Sequence, residues 1–202
     1  MGSIWLLPAA YLLGSIPTGY WLVWMVKGLD VRTQGSGNIG MTNVWRVAGP
    51  FWGVLTLLLD IAKGALAIWA ARYFFPMDSL AAIGAAVGVL AGNVFTLFLG
   101  FKGGKGIGVS VGVFFSLLPL ESAWGTAAFV LVVLVTRMIS AGSLTGVSVM
   151  ALSALWVLGP QPFPLFALLA ALLVWWTHRE NIKRILSGTE NRIGKKQKGK
   201  KK

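Results

Sequence analysis

Seven apolar stretches, at about residues 4–26, 51–74, 79–99, 107–120, 122–137, 141–159 and 163–178, follow one another along this chain with short connections between them. A helix of about 20 apolar residues crosses a bilayer because its backbone polar groups are all satisfied without water. The fold class that follows is all-α: a polytopic membrane protein with about seven transmembrane helices. Composition agrees, since 56% of the 202 residues are hydrophobic and only 12% are charged, too few to coat a soluble domain. The fourth stretch is short and glycine-rich at its start, so it is expected to tilt or to begin inside the membrane. The first lacks a basic leader and is long enough to span, which marks it as a membrane segment rather than a cleaved signal.

Charge orients the bundle. With the N-terminus outside, sixteen Lys and Arg fall on the inner side, among them Lys27, Arg32, Arg46, Lys102, Lys105 and Arg137, against Arg72 alone outside; Lys63 lies within the second stretch. That asymmetry predicts an external N-terminus and a cytoplasmic C-terminus. The net charge of +12 is concentrated in the same way, ten of the eighteen basic residues following His178, so it reads as an inner-side tail and not as a nucleic-acid surface. Residues 1–192 are expected to form a single transmembrane domain, and 193–202 a basic, disordered cytoplasmic tail that meets water or anionic headgroups. No internal repeat stands out. There is no cysteine and one histidine, His178, so neither a metal nor another cofactor is expected.

Three polar motifs lie at the inner ends of these stretches. The first loop runs Gly35-Ser36-Gly37-Asn38-Ile39-Gly40-Met41-Thr42-Asn43, followed by Arg46. Its glycines permit turns in which successive N–H groups face one concavity, a nest suited to an anionic oxygen. Ser36, Asn38, Thr42 and Asn43 add neutral donors, and Arg46 a forked cation. A flexible glycine-rich turn is the plainer alternative. The second motif, Gly100-Phe101-Lys102-Gly103-Gly104-Lys105-Gly106, lacks Walker A spacing but again combines turns with ammonium groups. Its plainer reading is a topology signal. In the third, Thr177-His178-Arg179-Glu180-Asn181-Ile182, His178 and Asn181 stand three apart and share a helix face, or else merely meet water at a helix end. Ser143 lies just inside the sixth stretch. Asp60 and Lys63, three apart within the second, read as a structural ion pair.

Together these residues resemble the bacterial acyl-phosphate:glycerol-3-phosphate acyltransferases. The resemblance rests on GSGNIGMTN at 35–43, GFKGGKG at 100–106, HRENI at 178–182, LLGSIPTGY at 12–20 and LDIAKG at 59–64, in order, from Leu12 to about Arg192. It implies a seven-helix fold with an external N-terminus, in the bacterial inner membrane, with the active site facing the cytoplasm. It implies transfer of an acyl group from acyl phosphate to the 1-hydroxyl of glycerol 3-phosphate, giving 1-acylglycerol 3-phosphate and phosphate, the first step of phospholipid synthesis. The partners are then acyl phosphate, glycerol 3-phosphate and membrane lipids, with no nucleic acid, and the expected state is a monomer. By position, Ser36, Lys105, His178 and Asn181 are the catalytic candidates. Gly37, Asn38, Gly40, Thr42, Asn43, Arg46, Gly103, Gly104 and Ser143 are the substrate-binding ones, the two glycine turns holding acyl phosphate by N–H groups. Acyl phosphate carries a good leaving group, so a substrate phosphate can take the hydroxyl proton in place of a protein base.

One departure stands out. Where the family has a Gly-His followed by a Pro, this chain reads Gly92-Asn93-Val94-Phe95-Thr96. Asn93 hydrogen-bonds but does not titrate near neutral pH. It is the best sequence argument for a rival reading, an altered or inactive paralogue that binds lipid or phosphate. A small-solute transporter is the other rival, and would need charged sites near mid-membrane that these stretches, beyond Asp60 and Lys63, do not offer.

Overall fold

Pro17 divides what the hydropathy pattern alone would make one helix. In the computed structural model, which describes residues 2–194, the first apolar stretch is α1 (Leu6–Ser15) followed by α2 (Thr18–Lys27). Proline supplies no N–H and disfavours helical backbone before it, and Ile16 accordingly sits at φ −59°, ψ 110°. The carbonyls released by the break find other donors. Thr96 Oγ1 donates to Ser15 O, and Lys63 Nζ donates to Ile16 O at 2.8 Å. Lys63 also lies 2.8 Å from Asp60, whose Oδ1 accepts from Thr18 Oγ1 at 2.6 Å. The pair is buried and staples both sides of the break, a structural role.

The chain folds as two compact units, one ending at Pro119 and the other beginning at Leu120. The first holds α1, α2, α3 (Met41–Ala48), α4 (Pro50–Phe74), α5 (Ser79–Val94) and α6 (Ile107–Leu117), with single 3-10 turns at Val31–Thr33 and Leu97–Leu99. Two helix pairs in it are knitted by close backbone approach. A Cβ on Gly92 of α5 would stand 2.1 Å from Tyr11 O of α1, and one on Gly112 of α6 would stand 2.0 Å from Ile61 O of α4. Lipid supplies no hydrophobic force between helices, so small residues that let backbones meet contribute the packing energy instead. The second unit comprises α7 (Pro119–Thr136) after its first residue, α8 (Ile139–Leu158), α9 (Pro162–Thr177) and α10 (Arg179–Leu186). There Gly125 and Gly146 bring α7 and α8 together in the same manner.

Every described element is a helix or a turn, with no strand among the described residues. Five segments are long and apolar enough to cross a membrane: Ser3–Lys27, Pro50–Phe74, Ser79–Leu99, Pro119–Thr136 and Ile139–Leu158. Their outward side chains are apolar, as Leu134, Val135 and Trp156 show. The fourth and seventh expected stretches are also apolar helices but shorter, α6 with 11 residues and α9 with 16. At 1.5 Å per residue α6 covers about 16 Å, roughly half a hydrocarbon core. Of the expected basic tail, residues 195–202 lie outside the described part.

Candidate active site

Asn43 organises the first loop. It is 1% exposed, and its amide nitrogen donates to Val31 O (3.2 Å), Gln34 O (3.0 Å) and Asn38 O (2.9 Å). Its Oδ1 accepts from Ser36 N at 2.8 Å. One side chain thereby draws residues 31–38 around the start of α3. Below it Val31, Ile39 and Val44 pack with Val23 of α2 in a small apolar core, which fixes a segment that would otherwise be a mobile glycine-rich turn. Asp30 caps the 3-10 turn and grips Arg32 by two nitrogens, Nη2 at 2.7 Å from Oδ2. The Arg32 guanidinium holds the Asp30 carboxyl below the usual carboxylate range, and the carboxylate raises Arg32 in return. Both are about one-third exposed, so this pair shapes the loop more than it stabilises the fold.

The loop uses only some of its donors internally. Gly37 N donates to Gln34 O, Gly40 N to Asn38 Oδ1 at 2.7 Å, and Asn43 N to Gly40 O. The N–H groups of Asn38, Ile39, Met41 and Thr42 meet no acceptor among the described residues. Two of these open the first turn of α3, where the helix dipole adds positive character. Gly37, Gly40 and Asn43 thus brace the turn through their own N–H groups, beside neighbours whose N–H groups stay open. The Ser36 hydroxyl is exposed and bonds to no described residue. Thr42 Oγ1 reaches only Met41 Sδ, at 3.8 Å, and Arg46, four residues on, shares its helix face.

The second glycine turn is bonded to the end of α5: Gly103 N donates to Val94 O at 3.0 Å and Gly104 N to Asn93 O at 2.9 Å. Gly103 also has no room for a side chain: a Cβ there would stand 2.1 Å from Asn93 O. The turn is sewn to the end of α5, and this carries half-buried Lys105 to the start of α6, just before Gly106 in left-handed conformation at φ +82°. The same fold brings the two loops together. A Cβ on Gly104 would lie 3.6 Å from Ile39 and 3.2 Å from Asn93 Oδ1.

In the second unit, the third motif straddles a helix break at His178, whose backbone leaves the helical range at φ −96°, ψ 7°. His178 is buried and its Nδ1 lies 2.9 Å from Val174 O. A carbonyl only accepts, so Nδ1 carries a proton and donates it to Val174 O. Asn181 Nδ2 donates to Glu190 Oε1 at 2.7 Å, and the same oxygen accepts from Ser140 Oγ at 2.8 Å. Arg184 Nε closes on Oε2 at 2.7 Å. Burial pushes the Glu190 carboxyl up, but hydrogen bonds from Asn181, Ser140 and Arg184, with the Arg184 charge, outweigh it and hold the group below its ordinary value. Ser143, on α8, is buried, and its hydroxyl bonds to no described residue. Among the described residues no three His, Asp or Glu side chains cluster as a metal site would require.

The comparisons with known proteins meet this geometry. A family model described as "Glycerol-3-phosphate acyltransferase" matches residues 4–188. The chain belongs to that family. It is 47% identical over 191 residues to the glycerol-3-phosphate acyltransferase of Geobacter metallireducens, covering 95% of this chain and 97% of the relative. The same-named protein of Anaeromyxobacter sp. (strain K) is 42% identical over 192 residues, covering 93% and 96%. Among solved structures it resembles PlsY (YgiH), an integral membrane glycerol 3-phosphate acyltransferase, in its glycerol 3-phosphate form. The TM-score is 0.90 at 34% identity, with 96% of each chain covered. The lysophosphatidic acid form of that protein matches at a TM-score of 0.88. The family match thus reaches both compact units, and the fold is that of an integral membrane protein.

Glu190 is the residue the motifs did not point to. It lies twelve positions past His178 among basic residues, and nothing in its spacing announces that the segment folds back. The available signal is compositional: it is one of only six carboxylates in the chain, in a segment otherwise basic.

Proposed function

We propose that the chain transfers an acyl group from acyl phosphate to the 1-hydroxyl of glycerol 3-phosphate. The observation that carries this reading is the loop at 36–42. Asn43 holds it rigid while four N–H groups and the Ser36 hydroxyl stay uncommitted, beside Arg46 on the helix that follows. A preorganised nest of neutral donors suits phosphate oxygens and costs no reorganisation when the substrate arrives.

In this reading the N–H groups of Asn38, Ile39, Met41 and Thr42 hold a phosphate, with Arg46 and Lys105 balancing its charge. Gly37, Gly40, Asn43, Gly103 and Gly104 shape the turns that present those donors. Ser36 orients the acyl phosphate, and Ser143, His178 and Asn181 serve the hydroxyl and phosphate oxygens of glycerol 3-phosphate. The 1-hydroxyl oxygen bonds to the carbonyl carbon, the carbon–oxygen bond to phosphate breaks, and the hydroxyl proton ends on phosphate oxygen. With phosphate as the leaving group, positioning and charge compensation carry the rate. If His178→Ala raises KM while the chemical step keeps its rate, the substrate's own phosphate is the base; a pH–rate profile set by His178 alone would reject that assignment.

The seven apolar helices cross the inner membrane with the N-terminus outside, in keeping with the distribution of Lys and Arg. The motifs then face the cytoplasm, the source of water-soluble glycerol 3-phosphate, while the acyl chain stays in the bilayer. The test is purified protein in lipid with both substrates. Equal amounts of lysophosphatidate and phosphate are expected, and the absence of both beside a working relative would reject the reading.

A further inference from the structure

Asn93 lies in the last turn of α5 with its side-chain amide uncommitted. It is 6% exposed, yet its amide forms no hydrogen bond among the described residues. Asn43, buried in the neighbouring loop, shows what a structural asparagine here looks like, with both ends of its amide committed. Neither polar atom of Asn93 is sealed, in contrast to the hydroxyls of Ser110 and Ser122, which are closed off without partners. The small remaining exposure therefore includes the amide head, and a ligand can reach it.

What surrounds that head is specific. Asn93 Oδ1 lies 3.2 Å from the Cβ position of Gly104, Ile39 lies 3.6 Å from the same position, and Lys105 follows directly. The main chain of Asn93 is engaged as well, its carbonyl accepting from Gly104 N at 2.9 Å. The backbone is pinned to the basic turn while the amide is left over, at the place where the basic turn and the first loop meet.

We infer that Asn93 is a substrate-binding residue, its amide donating to a phosphate oxygen of one of the two phosphate-bearing substrates. The inference rests on the acyltransferase reading above and deepens it. A neutral amide donates to a phosphate at any pH in the working range, so this contact carries no ionisation of its own.

The variants that test it are Asn93→Leu, which keeps the size and removes the hydrogen bonds, and Asn93→His, which returns a donor. Thermal stability in detergent establishes that each is folded. Losing a hydrogen bond to a charged group raises KM by about tenfold or more, with a smaller change in kcat. The Leu variant should show this for one substrate, and which of the two it is identifies the phosphate. The His variant should recover that KM in part and gain a pH dependence that the parent lacks, affinity improving as pH falls through about 6.5. A purely structural residue would introduce no such dependence. Stabilisation against heat by glycerol 3-phosphate and by inorganic phosphate, compared between parent and variants, reads the contact without turnover. A parent that fails to turn over thus rejects the acyltransferase reading alone. KM values within twofold for both substrates, with unchanged thermal protection, would overturn the inference. Should the Leu variant not fold, a folded His variant whose KM has the parent's pH dependence would overturn it equally.

Discussion

Replacing Asn43 by aspartate changes one amide nitrogen into an oxygen and leaves the shape alone. Oδ1 can still accept from Ser36 N, but the other oxygen then faces the carbonyls of Val31, Gln34 and Asn38 at 2.9–3.2 Å. An ionised carboxylate is repelled by all three, so the folded loop requires the protonated acid, which donates to one of them. Keeping it protonated against an ordinary pKa of about 3.9 costs about 1.4 kcal/mol for each pH unit above that value. The penalty is therefore about 4 kcal/mol at pH 7 and about 1.5 kcal/mol at pH 5. The folded-state pKa of the introduced acid lies above the unfolded value. The variant thus approaches parental stability below about pH 4 and loses it as pH rises. At about 2–4 °C per kcal/mol for a chain of this size, Tm should fall by about 8–16 °C at pH 7 and by about 3–6 °C at pH 5. These shifts are ceilings, because the loop can open locally; amide exchange of residues 36–42 reads whatever the global transition does not. A variant with parental Tm and loop protection at pH 7, or a deficit that does not change between pH 5 and 7, would refute this account of the loop.

Glu190→Gln leaves one of the donors Asn181, Ser140 and Arg184 facing an amide N–H. It should lower stability by about 2–4 kcal/mol and raise KM by releasing Asn181, as thermal scans and steady-state kinetics would show. Because the Glu190 pKa is depressed on folding, the advantage of the parent is full above the ordinary carboxylate range and fades as pH falls through the folded value. Lys63→Met strands the buried Asp60 charge and should cost about 3–5 kcal/mol in denaturation, whereas adding Asp60→Asn to it should restore part of that loss. Gly112→Ala forces a Cβ to within 2.0 Å of Ile61 O, so α4 and α6 must separate, at a cost of about 1–3 kcal/mol or more in the same measurement.

Hydropathy located the helices within a few residues, because in a membrane protein the apolar run itself dictates the element. It did not show that Pro17 splits the first run, since that depends on whether tertiary donors compensate the freed carbonyls. Those donors, Thr96 and Lys63, are 81 and 47 residues away from their acceptors. The glycine motifs mark the loops, but not which N–H groups within them already have acceptors. Whether an N–H is open or spent depends on a partner such as Asn43 Oδ1 or Val94 O, and partners at that range leave no local signature. Glu190 was hidden for the same reason, its three donors arriving from α8 and α10.

The fate of one oxygen tests the proposed reaction most directly. Glycerol 3-phosphate labelled with oxygen-18 at the 1-hydroxyl is turned over with acyl phosphate by the purified protein in lipid, and both products are weighed by mass spectrometry. Attack of the hydroxyl on the carbonyl carbon predicts the label in the ester of lysophosphatidate and none in the released phosphate. Free fatty acid together with doubly phosphorylated glycerol, or phosphate released with no labelled lysophosphatidate, would contradict it.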